Sequence, residues 1–334
     1  MVHVPLTRNQ RRGFFAAWGG WVLDGMDSFI YALVMVPALR ELLPRSGIPG
    51  DQPNVGFYGG LLFALFLFGW GCSLVWGPIA DRFGRIRTLM LTILCYSIFT
   101  FLGAFATSVW MLAAFRLLAG VGIGGEWSMG GTFIAEELPE ARRKMAAGLM
   151  HTGYYVGIFL AAIANYFIGA RFGWRAMFVV GGTPALLVGF IRYGVRESKR
   201  WENRIAQVGK GWTMHRAFFT LFSPEYRRRT LLNSTYLLIS IVGLWAGSVY
   251  VPASVSALAA KAGFTEPQGL RLASYGTMIL STGTISGCLL LPILAEKFGR
   301  RLTLAIYFAL MAAFISLGFG YVFYLEAHTL FWFM

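Results

Sequence analysis

Long apolar runs alternate with short polar connections from one end of this chain to the other. Apolar windows of about 20 residues, enough at 1.5 Å per residue to cross a hydrocarbon layer of about 30 Å, recur throughout. They predict membrane spans over 14–39, 56–79, 88–107, 110–135, 146–168, 174–195, 231–256, 272–294 and 302–323, with a tenth beginning near Leu330. Arg8, Arg11 and Arg12 precede the first run, as they would in a secretory signal. That run is too long for a signal core and lacks a small-residue cleavage site, so it reads as a membrane helix. The longest polar stretch divides the chain. It predicts an N-terminal six-helix half over 1–195, a linker with short surface helices over 196–229, and a partial second half over 230–334 with three helices and the start of a fourth.

Composition places these spans in a bilayer. Of the 334 residues 57% are hydrophobic and 13% charged, against about 25% charged in a soluble protein. So few charges do not cover a water-facing surface, and the predicted fold class is an all-α integral membrane protein. The 41 glycines suit close packing of membrane helices. Cys72, Cys95 and Cys288 all lie inside apolar spans at spacings that fit no metal or redox motif, and read as buried thiols.

The net charge of +14 follows topology rather than a nucleic-acid partner. Alternate connections collect most of the 29 basic residues: the N-terminus, Arg82 to Arg87, Arg142 to Lys144, Arg196 to Arg229, and Lys297 to Arg301. The positive-inside rule then predicts a cytoplasmic N-terminus. No P-loop, paired Cys/His spacing or nucleophile elbow points to an enzyme.

One segment occurs twice. ADRFGRI at 80–86 returns as AEKFGRR at 295–301, 215 residues on, each time after the second span of a half. Parallel repeats of six-helix halves are a transporter plan. The repeat predicts about three further helices after Met334.

The first copy sits in a G-x-x-x-D-R-x-G-R pattern made by Gly77, Asp81, Arg82, Gly84 and Arg85. In that position the pattern closely resembles the loop motif of the major facilitator superfamily. RLLAGVGIGGEW (116–127) resembles the Arg-then-glycine motif of proton-coupled members. EELPEARR (136–143) keeps Glu136, Pro139 and Arg143 of the sugar-porter-like pattern, and RESKRW (196–201) resembles the motif after the sixth span with Arg196 and Lys199 in place of prolines. LDGMDSFIY, GIGGEW and GWRAMFVVGGTPALL resemble bacterial carboxylate/proton symporters of the sialate, monocarboxylate and aromatic-acid type.

The resemblance implies a fold of two six-helix halves, the second incomplete here, and alternating access driven by a proton gradient with no cofactor. It implies a bacterial-type inner-membrane protein. The expected partners are a small organic anion and the lipid bilayer, with no nucleic acid, and the chain is expected to act as a monomer. A sugar or polyol is the alternative substrate, and a non-transporting sensor on the same fold the alternative class. It also implies a charge latch at the cytoplasmic end, formed by Asp81, Glu136, Glu137 and Glu197 with Arg82, Arg85, Arg142 and Arg143. By the repeat, Glu296, with Arg300 behind it, should face the start of the fifth span near Met145.

Ionisable residues inside spans are costly and mark function. Asp24 and Asp27 are three apart on the first span and share a face. Counted at 1.5 Å per residue, Asp27 and Arg116 lie at similar depths, about 10 Å from the outer boundary. An arginine that holds a carboxylate ionised and then releases it makes a proton switch. The resemblance implies that role for Asp27 and Arg116. Depth also matches Glu126 with His151 as a candidate relay or substrate contact. Tyr155 and Asn165 on the fifth span, and Trp245 on the seventh, are candidates to line a cavity.

Overall fold

The computed structural model describes residues 6–186, 188, 219–325 and 329–334. Among the described residues the regular structure is helical throughout. The N-terminal part comprises α1 (Arg8–Arg45), α2 (Gln52–Gly71), α3 (Trp76–Phe83), α4 (Arg85–Gly103), α5 (Val109–Glu137), α6 (Glu140–Ala164) and α7 (Trp174–Gly181). The C-terminal part comprises α8 (Arg227–Ser248), α9 (Val251–Lys261), α10 (Glu266–Phe298), α11 (Arg300–Gly320) and α12 (Thr329–Phe333). Seven of the described helices are long and apolar enough to cross a membrane.

Local chemistry sets the helix starts. The hydroxyl of Thr7 accepts from the Gln10 amide while the Gln10 side chain accepts from the Thr7 amide, so two otherwise orphaned donors are satisfied. Asp51 caps α2 through the Asn54 amide at 2.9 Å, and Ser108 caps α5 through Met111 at 3.2 Å.

The predicted polar loop between the second and third spans differs from expectation. A 3₁₀ turn over Cys72–Val75 leads into α3, and the chain stays helical to Phe83. The only break is Gly84, at φ 107° and ψ 153°, a conformation a side chain disfavours. α4 starts at the next residue. The second copy of the segment does the same: α10 ends at Phe298, Gly299 stands at φ 83° and ψ 150°, and α11 starts at Arg300. The repeat read in the sequence is therefore a repeat in backbone geometry. The predicted span 231–256 also differs. It is two helices, α8 and α9, which part at Val249 and Tyr250. The predicted linker over 196–229 lies largely outside the described residues, as does the sixth span beyond Val188.

In a bilayer, lipid tails are as apolar as leucine, so helices associate by close packing. Glycine supplies the closeness. A Cβ on Gly25 would collide with the Tyr154 carbonyl, and one on Gly157 with the Val22 carbonyl, so α1 and α6 touch backbone to backbone. Gly69 against Leu117 and Gly120 against Phe66 do the same for α2 and α5. α1 sits at the centre of this bundle. Its residues Phe29 to Val34 are all 3% exposed or less.

Candidate functional site

α1 carries Asp24 and Asp27 into that centre, where both are 0% exposed. Arg116 of α5 is 1% exposed. The ion pair expected between Asp27 and Arg116 is not formed here, because the two groups face different neighbours. The Asp27 carboxylate lies beside Thr100 of α4 and against Gly181 of α7, where a Cβ would come within 3.2 Å of Oδ1. The Arg116 guanidinium lies over two ring faces, 4.3 Å from the Phe66 centroid and 5.1 Å from that of Tyr31. Tyr31 is itself fixed by donating its hydroxyl to the Gly59 carbonyl at 3.1 Å. None of the Arg116 nitrogens has a hydrogen-bond acceptor among the described residues, nor do the Asp27 oxygens have a donor. The two charges still act on one another across the core. Aromatic faces attract a guanidinium through their quadrupole. They leave its hydrogen-bonding edge free, which suits it to a carboxylate.

Glu126 also differs from expectation. It is 0% exposed and reaches α1, where its Oε1 fills the space beside Gly20. Its carboxylate faces Asp24, one turn further along α1, with the Tyr96 hydroxyl of α4 beside both. His151 does not join it. That side chain is exposed, with its ring edge-on to Trp21 at 6.4 Å. Sequence reasoning missed Tyr96. The available signal was a hydroxyl in mid-span, since a buried tyrosine usually needs a partner.

Trp245 of α8 crosses from the C-terminal part into an aromatic wall. Its ring lies 4.9 Å from Phe63 and 6.4 Å from Trp70 on α2, and 6.3 Å from Tyr154 on α6. Together with Tyr155, Leu244, Ser248, Leu280 and Ser281, Trp245 and Tyr154 line a cavity between α6, α8 and α10. Its volume is about 20 Å³, room for roughly one water molecule. A larger guest requires the two parts to separate.

Asn165 lies away from that cavity. α6 widens into a π turn over Asn165–Gly169, which turns the Asn165 side chain toward α10. Its amide donates to Ser274 Oγ at 3.0 Å and to the Leu270 carbonyl at 3.3 Å. Tyr275 donates to the Tyr166 hydroxyl at 3.2 Å, and Arg271 lies over the Tyr166 ring. At the same end of the bundle Glu41 accepts from Arg175 at 2.7 Å and from Trp174 Nε1 at 2.8 Å, and pairs with Arg45 at 2.9 Å.

The predicted latch lies at the opposite end. Arg85 is buried and donates to the Ala80 carbonyl at 3.1 Å, and Arg143 donates to the Leu138 carbonyl at 2.9 Å. Both bonds hold helix ends. Arg82 is exposed over its neighbour Phe83, and Gly77 is half-buried. The side chains of Asp81 and Glu136, and all of Glu197, lie outside the described residues. Glu296 and Arg300 are exposed. α6 meets α10 there through Gly148 against Pro292 instead of through Glu296, because the small residue admits the proline ring.

Among the described residues no group of His, Cys, Asp and Glu is arranged to hold a metal. The sequence pattern of the Major Facilitator Superfamily matches residues 17–334. The chain is 29% identical to a probable 4-methylmuconolactone transporter of Cupriavidus pinatubonensis, over 88% of its own length and 65% of that protein's. It is 34% identical to the niacin transporter NiaP of Acinetobacter baylyi, over 54% of its length and 39% of that protein's. The chain therefore spans under two thirds of either relative. Its fold is similar to that of the xylose transporter XylE of E. coli in a partially occluded inward-open conformation. The TM-score is 0.68 at 21% identity, over 96% of this chain and 82% of that one.

Proposed function

The chain belongs to the Major Facilitator Superfamily, and from that premise we propose that it serves a proton-coupled symporter of a small organic acid. The observation that carries this reading is Arg116. A buried guanidinium with no acceptor among the described residues, seated on two aromatic faces, is a receptor for a carboxylate. The relatives named for niacin and 4-methylmuconolactone support an acidic or lactone-type substrate over a sugar.

In this reading Asp27 carries the coupled proton. With Arg116 free, Asp27 stays ionised in its field. When the substrate's carboxylate takes the guanidinium, Asp27 loses that support and binds a proton. Proton and acid then cross together as the two halves rock about the cavity at Trp245, Tyr154 and Tyr155. In the same reading the basic connections around Arg82, Arg142 and Arg300 face the cytoplasm, and the N-terminus lies on that side too.

The test is uptake of a panel of acids and sugars by the full-length protein in proteoliposomes, with and without a proton gradient. The expected result is gradient-driven uptake of an acid. Asp27→Asn should abolish accumulation and keep exchange. Gradient-independent uptake, or accumulation by Asp27→Asn, overturns the coupling. Uptake of a sugar alone overturns the substrate.

A further inference from the structure

Asp24 and Glu126 form a second buried acidic site, and it differs from the first. Both carboxyls are 0% exposed, on α1 and α5, and each faces the other. Glu126 is seated there by shape, because its Oε1 occupies the space that a side chain at Gly20 would fill. All four carboxyl oxygens lack a hydrogen-bond donor among the described residues.

Among the described residues no positive charge acts on either carboxyl. The groups acting on Asp24 are Glu126, Asp27 one turn along α1, and the Tyr96 hydroxyl of α4. Those acting on Glu126 are Asp24 and Tyr96. Tyr154 of α6 also acts on Asp24. The buried guanidinium of Arg116 acts on Asp27, Tyr31 and Tyr154 instead, and His151 turns to Trp21. Tyr96 is an independent pointer. Its hydroxyl is fully buried, has no partner among the described residues, and lies beside both carboxyls.

Two adjacent carboxylates in a low-dielectric core with no counter-charge cannot both be ionised. One proton between them converts a repulsion into a strong O–H···O⁻ bond, and Tyr96 can donate to the oxygen left over. We propose that Asp24 and Glu126 hold one proton in common, as a proton-binding site that ties α1 to α5 and is separate from Asp27. The O–H stays on one carboxyl and the other accepts it, so the pair carries a single negative charge. This assignment concerns the resting protein and is independent of what is transported.

The test is infrared spectroscopy of the purified full-length protein in lipid at neutral pH, read in H₂O and D₂O. The expected wild-type spectrum contains a protonated-carboxyl C=O band that moves on deuteration. Asp27→Asn keeps that band. Asp24→Asn and Glu126→Gln each lose it, because the new amide donates to the remaining carboxylate and replaces the shared proton. The double variant Asp24→Asn/Glu126→Gln also lacks it and should fold like wild type, since it removes both charges and keeps both shapes. A wild-type protein without the band overturns the proposal. So does loss of the band in Asp27→Asn, or its survival in both single variants. The readout needs no transport, so the symport reading can fail while this one stands, and the reverse.

Discussion

The Nδ2 of Asn165 lies 3.0 Å from the hydroxyl of Ser274, and this bond joins the N-terminal bundle to the C-terminal one. It forms at the end of the molecule that carries Glu41 and Arg175, away from the basic connections. With Tyr166 and Tyr275 beside it, it closes that end.

Asn165→Ala removes both bonds that Asn165 donates to α10. A neutral hydrogen bond contributes about 1 kcal/mol net. At about fivefold per bond, loss of the two should shift the equilibrium by up to about thirtyfold toward opening at that end. Alkylation of a single cysteine placed at Ala273, in a protein lacking the three native cysteines, should quicken by that factor. An unchanged rate means the bond does not hold the end shut.

Arg116→Lys should cost transport far more than stability. Lysine keeps the charge but loses the flat guanidinium that lies on Phe66 and Tyr31, and with it the paired donors that fit a carboxylate. Uptake should fall by at least about tenfold, the effect of roughly 1.4 kcal/mol lost in substrate binding. The melting temperature should move by only a few degrees. Equal loss of both readouts would make Arg116 a packing residue.

Gly120→Ala tests the α2–α5 contact. The added methyl would meet the Phe66 carbonyl, where nothing flexible can yield. Overpacking of this kind costs about 1–3 kcal/mol. Gly56→Ala is the control, because no atom lies within 4 Å of a Cβ there. Thermal unfolding in detergent should separate the two variants clearly, and identical midpoints count against glycine-mediated packing.

Glu41→Gln should have a small effect. Glu41 gathers Arg175, Arg45 and Trp174, but its side chain is 32% exposed and that of Arg175 37%. Solvent-exposed pairs contribute about 0.2–1 kcal/mol, so only a slight drop in the thermal midpoint is expected. A collapse in expression would show the cluster to be structural in a way its exposure does not suggest.

The apolar runs located most of the membrane helices, and the repeated ADRFGRI-like segment located the two glycine breaks. Those features depend on local composition and on the residue type the backbone needs. The partners of the buried charges depend on something else. Depth along a helix is one coordinate, and the direction a residue points around the axis is another. Depth alone matched Glu126 with His151. Rotation and packing put Glu126 beside Gly20 and turned His151 outward. Asp27 and Arg116 do share a depth, yet Phe66 and Tyr31 hold the guanidinium away from the carboxylate. Asn165 reads as one more polar residue in an apolar span. Only the π turn after Ala164, which no periodicity announces, aims it at Ser274.

Gly84 and Gly299 carry a mechanical implication. A connection of one residue has no slack in length, so movement of one helix end carries the start of the next helix with it, while the glycine lets the angle between them change. Each glycine acts as a pinned joint between two rods. Displacement of α10 must reach α11, and displacement of α3 must reach α4, which holds Thr100 beside Asp27 and Tyr96 beside Asp24 and Glu126. One helix, α4, thereby joins the basic end of the molecule to the acids in its core.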